Sequence, residues 1–87
     1  MFSVKVSKKV EKSLLSMPDH YKKRIKELLI VLENDAVPAK SYDTLKLEST
    51  DNWYRIRIGD VRMVYEVMWN LQQIEVMKIE WRGRSYK

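Results

Sequence analysis

Residues 53–67, WYRIRIGDVRMVYEV, decide the fold. Gly59 and Asp60 suit a two-residue turn with glycine at its first central position. Residue 58 then pairs with 61, 57 with 62 and 56 with 63, and side chains alternate across the sheet. One face carries Tyr54, Ile56, Ile58, Val61, Met63, Tyr65 and Val67; the other carries Trp53, Arg55, Arg57, Arg62, Val64 and Glu66. The apolar face has to be covered by helices, because a slip of one residue would bury the arginines instead. This register sets Arg57 opposite Arg62. Facing like charges cost a few tenths to about 1 kcal/mol. Solvated faces usually mix signs, and Glu66 is the only acid on this one. The plain alternative is the wet side of an antiparallel sheet. The functional reading is an anion site, a phosphate held between converging guanidinium groups, since local rules are broken where function chose the residues.

Upstream, Phe2, Val4 and Val6 alternate with Ser3 and Lys5 as a first strand. Ser7 is a good N-cap, with Glu11 close behind, and Val10, Leu14 and Met17 form a short helical face. Pro18 ends that helix and opens the next, with Asp19 favourable at its start. Tyr21, Ile25, Leu28, Leu29 and Leu32 predict a helix of about four turns, ending near Asn34–Asp35 before Pro38. Residues 36–51 read as a linker in which Leu45 and Leu47 offer a short strand or anchor. Strands follow at 53–58, 61–69 and 73–81. The expected fold is α+β, in the order β-α-α-β-β-β, with an antiparallel sheet packed against two N-terminal helices.

Eighty-seven residues make one domain, 1–87. No cysteine is present, so a disulfide framework and thiolate ligands are excluded. The sequence shows neither a membrane-spanning run nor a signal peptide, and a cytoplasmic location is expected. The formal charge of +5 suggests an anionic partner. Its distribution says more: eight of the nine basic residues before position 41 are lysines, whereas five arginines and three lysines follow it. Arginines gathered on strands suit bidentate recognition of phosphate.

The tail, WRGRSYK, interleaves Trp81 and Tyr86 with Arg82 and Arg84. Aromatic rings that stack bases and guanidinium groups that take phosphates are what single-stranded RNA recognition uses. Such a cluster fits RNA cleavage by the 2′-hydroxyl on its neighbouring phosphate, driven by charge stabilisation. The lone histidine, His20, reads as a surface residue, and no metal or cofactor is implied. The general base stays open. Arginine, with a pKa above 12, is a poor one. Lys46, Tyr86 and Glu66 are the candidates, although an ion pair with an arginine is the favoured reading of Glu66.

The element order, with LKLEST…WYRIRIGDVRMVYEV followed by IEVMKIEWRGRSYK, resembles the RelE toxins of toxin–antitoxin pairs, archaeal members above all. The likeness covers essentially the whole chain. The R-[IV]-G-x-x-R-[VM]-[VI]-Y core and the R-x-R tail are moderately specific, since ParE-like toxins share the scaffold. The resemblance implies a metal-independent, ribosome-dependent mRNA endonuclease held inactive by a RelB-like antitoxin in a heterodimer or heterotetramer. By position it implies that Arg55 and Arg57 are the basic strand residues. Arg62 and Arg82 would hold the scissile phosphate, with Arg84 beside them, and Tyr86 would stack on a base or assist proton transfer. Lys46 and Trp81 are further expected RNA contacts. Bacterial members carry lysines at the positions of Arg55 and Arg57, one of them a proposed base, and have a C-terminal helix that this chain lacks. Two other readings are a ParE-like toxin that inhibits a topoisomerase by protein contact and a non-catalytic RNA-binding domain.

Overall fold

The structure, a computed structural model, describes residues 1–81. Its first helix starts where the sequence offers a cap. The Ser7 side-chain oxygen accepts the Val10 N–H at 3.2 Å and opens α1, Lys8–Leu15, just after strand β1, Ser3–Val6. Val10 and Met17 are buried. Pro18 caps α2, Asp19–Asn34, without a side-chain bond; its carbonyl accepts from Tyr21 and Lys22, both at 3.1 Å. Ile25, Leu28 and Leu32 recur at spacings of three and four and are fully buried, so α2 covers the sheet with one stripe. Among the described residues no helix is long and apolar enough to cross a membrane.

The linker holds a strand, β2, Asp43–Lys46. It is followed by β3, Trp53–Ile58, and β4, Val61–Met68. A 3₁₀ turn at Trp69–Leu71 ends β4 one residue short of the expected limit and leads into β5, Gln73–Trp81. The sheet runs β1-β5-β4-β3-β2. The α+β class holds, but the sheet is mixed: β1 lies parallel to β5, with Ser3 opposite Gln73 and Val6 opposite Val76. The other neighbours are antiparallel. The hairpin register is the expected one, 58 with 61, 57 with 62 and 56 with 63.

Ile74 and Val76 fall on even positions and Ile79 on an odd one, yet all three are buried. A bulge reconciles them. Val64 pairs with Lys78 and Tyr65 with Val76, so Met77 is the extra residue and the alternation of β5 is reset. The resulting core joins these side chains to Ile56, Ile58, Val61, Met63 and Val67 on the helix side.

Tyr65 brings a polar atom into that core. Its ring is fully buried and stacks on Tyr54 at 5.8 Å, and its hydroxyl donates to the Ala36 carbonyl at 2.7 Å. Burial pushes its pKa well above the ordinary range, with Tyr54 and Asp35 adding to the effect. The native state therefore holds this proton more tightly than the unfolded chain does. The associated stability is complete below the unfolded pKa of about 10 and is lost as pH rises beyond it. Tyr65→Phe should cost about 1–3 kcal/mol at pH 7, because the Ala36 carbonyl loses its donor. The gap to wild type should hold up to about pH 10 and narrow above it, which urea unfolding at several pH values would test.

Candidate functional site: the arginine face of the sheet

The side of the sheet away from the helices is ordered in cross-strand rows, each two residues, or roughly 6.7 Å, from the next. The first row runs Asp43–Arg57–Arg62–Glu80 across β2, β3, β4 and β5. The second runs Leu45–Arg55–Val64–Lys78. The third runs Trp53–Glu66–Glu75–Lys5, ending on β1. The facing arginines are thus bracketed by acids at both ends of their row, which offsets their repulsion. Within the hairpin Glu66 is the only acid on this face. Across the whole sheet Asp43, Glu66, Glu75 and Glu80 share it with Arg55, Arg57, Arg62, Lys78 and Lys5.

The three arginines differ in their surroundings. Arg62 is half-exposed, with Nη1 3.9 Å from Glu80 Oε1. Glu80 Oε2 lies 3.3 Å from Lys78 Nζ, so two cations share one carboxylate. Arg57 is exposed and, among the described residues, makes no ion pair. Arg55 is the most enclosed, its side chain only 18% exposed. Its Nη2 lies 4.0 Å from Asp43 Oδ1, and its Nε is buried without a partner among the described residues. Leu45 and Val64 are its neighbours in the row, and solvent does not reach its Nε.

The turn that aligns Arg57 with Arg62 is pinned from the helix side. Gly59 has φ +54°, in the left-handed region. The Asp60 N–H donates to the Tyr21 hydroxyl at 3.2 Å, and a Cβ at position 59 would lie 2.8 Å from that oxygen. His20, exposed at the start of α2, lies against the Tyr21 ring, 4.4 Å between centroids.

Several expected site residues sit elsewhere. Lys46 pairs with Tyr54, so its register places it on the helix side of the sheet, away from the arginines. Trp81 pairs with Val61 and packs against the edge of the core, not on the arginine face. Its place does bring the start of the tail beside the hairpin, one residue from Arg62. Glu66 lies two rows from Arg62, and the ion pairs of the arginines run to Glu80 and Asp43 instead. Arg82, Arg84 and Tyr86 lie outside the described residues. Sequence reading missed Glu80, Lys78 and Asp43. Their facing depends on the β5 bulge and on how β2 pairs, and neither leaves a local signal.

The sequence and fold matches define the class, a toxin of a type II toxin–antitoxin system. The sequence model described as the ParE toxin of the type II system parDE matches residues 4–86, and the chain belongs to this RelE/ParE family. Within it the chain is of the RelE type. It is 36% identical over 86 residues to a protein of Methanocaldococcus jannaschii named as toxin RelE1, spanning 99% of this chain and 96% of that one. The fold matches RelE in the archaeal RelE–RelB complex of Pyrococcus horikoshii OT3 with a TM-score of 0.86 and 39% identity, covering 95% of this chain and 97% of that one. The RelB–RelE complex of Methanococcus jannaschii matches with a TM-score of 0.78 and 27% identity, 95% of each chain covered. The isolated Escherichia coli RelE toxin, at 14% identity and a TM-score of 0.76 over 93% of this chain and 84% of that one, shares the fold.

Proposed function

We propose that this toxin is an endoribonuclease that cuts messenger RNA at the ribosome, acting as one domain over residues 1–87 in the cytoplasm. The observation that carries this is the Arg57–Arg62 pair, held face to face on an open sheet with Arg55 one row away. Asp43 and Glu80 flank the pair, and two guanidinium groups side by side on an open face suit a bound phosphate. In the reaction the 2′-hydroxyl attacks the adjacent phosphorus and the 5′-oxygen leaves. Negative charge grows on the non-bridging oxygens, where fixed guanidinium donors lower the barrier. Arg82 would join Arg62 on the phosphate. Arg84 would add a backbone contact, and Tyr86 would stack on a base or assist proton transfer. Arginines supply the positive charge that stabilises the phosphorane.

The relatives solved as RelE–RelB complexes support a RelB-like antitoxin as the partner, in a heterodimer or heterotetramer. Acidic, amphipathic helical segments would suit the basic surface of this chain. The family description also supports a second reading, a ParE-like toxin that blocks a topoisomerase by protein contact.

Expression with and without the adjacent open reading frame, with mRNA 5′ ends mapped, separates the two. New ends confined to translated regions, suppressed by the neighbouring gene product, are expected. Growth arrest with intact transcripts and altered plasmid supercoiling would favour the topoisomerase reading.

A further inference from the structure

We propose that Glu80 is the group that accepts the proton of the attacking 2′-hydroxyl, an inference that rests on the endonuclease reading above. The candidates the sequence offers are thinned by register. Lys46 is on the helix side of the sheet, and Glu66 stands four residues along β4 from Arg62, roughly 13 Å away. Glu80 is in the Arg62 row, its Oε1 3.9 Å from the guanidinium.

A phosphate on Arg62 and the Glu80 carboxylate would touch the same planar donor. The attacking oxygen has to approach within about 3–3.5 Å of phosphorus, and a base has to reach it directly or through one water. A carboxylate beside a phosphodiester is repelled unless cations separate the two. Here Arg62 on β4 and Lys78 on β5 both hold Glu80, Arg57 on β3 follows in the same row, and Asp43 lies at its far end. The carboxylate has a lone pair for the proton, which a guanidinium lacks.

The step balances as follows. The O2′ proton passes to Glu80 as the O2′–P bond forms. The P–O5′ bond breaks, and the departing 5′-oxygen takes a proton from water. The products are a 2′,3′-cyclic phosphate and a 5′-hydroxyl, and Glu80 returns its proton to solvent.

Single-turnover cleavage of ribosome-bound message by wild type, Glu80→Gln, Glu80→Asp and Glu80→Ala, with and without sodium formate, tests the assignment. Glu80→Gln and Glu80→Ala should be slower by about a hundredfold or more, and Glu80→Asp by less. Formate, a small carboxylate that can take the same proton, should raise the Glu80→Ala rate, whereas sodium chloride at equal concentration should not. Thermal melting of Glu80→Gln should stay close to wild type, since the ion pairs lost are at the surface. A wild-type rate in Glu80→Gln, or a Glu80→Ala rate that formate and chloride change equally, would assign Glu80 to charge balance alone and overturn the proposal while leaving the endonuclease reading standing. No cleavage by the wild type, with the ribosome present, would remove both.

Discussion

Arg62→Ala should abolish growth arrest and lower mRNA cleavage by a hundredfold to a thousandfold, the usual cost of removing one fixed donor from developing charge. Arg62 stands at the centre of the site, between Arg57 on one strand and Glu80 on the next. Its side chain is half-exposed, so truncation opens no cavity in the core. The ion pair lost with it, at 3.9 Å and at the surface, is worth less than about 1 kcal/mol. The melting temperature should therefore move by only a few degrees, and the loss of toxicity is not a loss of fold. Arg62→Lys keeps the charge without the planar fork and should rescue poorly. Growth curves after induction and primer extension on a translated reporter give both readouts. Full toxicity in Arg62→Ala would remove the arginine pair from the mechanism.

The largest effect on stability is expected at the hairpin turn. Gly59→Val places a β-branched residue at φ +54°, which costs about 1–3 kcal/mol by itself. It also sets a Cβ 2.8 Å from the Tyr21 hydroxyl, so that ring has to swing away and give up its bond to the Asp60 N–H. Together these predict a loss of about 2–4 kcal/mol, or a melting temperature about 10 °C or more lower in a domain of this size. The two causes separate in a double-mutant cycle. Tyr21→Ala relieves the close approach but not the backbone strain. Gly59→Ala should therefore cost less in the Tyr21→Ala background than in wild type, with some penalty remaining. Equal costs in both backgrounds would show that Tyr21 does not constrain the turn. Because the turn aligns Arg57 with Arg62, these variants should also lose activity in step with the disorder they introduce.

The parts of this molecule legible in its sequence are those set by neighbouring residues. Ser7 and Pro18 announce the two helix starts, the three- and four-residue spacing of Ile25, Leu28 and Leu32 gives the buried stripe, and Gly59–Asp60 fixes the register of the only tight hairpin in the described chain. What escaped is set by contacts distant in sequence. The parallel edge arises because β1 meets a strand made about seventy residues later. β2 is four residues long and takes its place only by pairing with β3. The bulge at Met77 swaps the facing of half of β5, so the alternation set by Ile74 and Val76 assigns Trp81 and Glu80 to the wrong faces. For this reason the arginines of the site could be read from the hairpin, while the acids that flank them could not.

The pairing of β1 with β5 also orders events in time. Residues 3–6 leave the ribosome well before their sheet partner, residues 73–76, has been made. A nascent polypeptide grows from its N-terminus at about 5–20 residues per second, and such distant pairings close late. Glu80, at the β5 end of the arginine row, arrives in the same later stretch. A copy synthesised only as far as β4 therefore lacks both its sheet edge and the β5 end of its charge row.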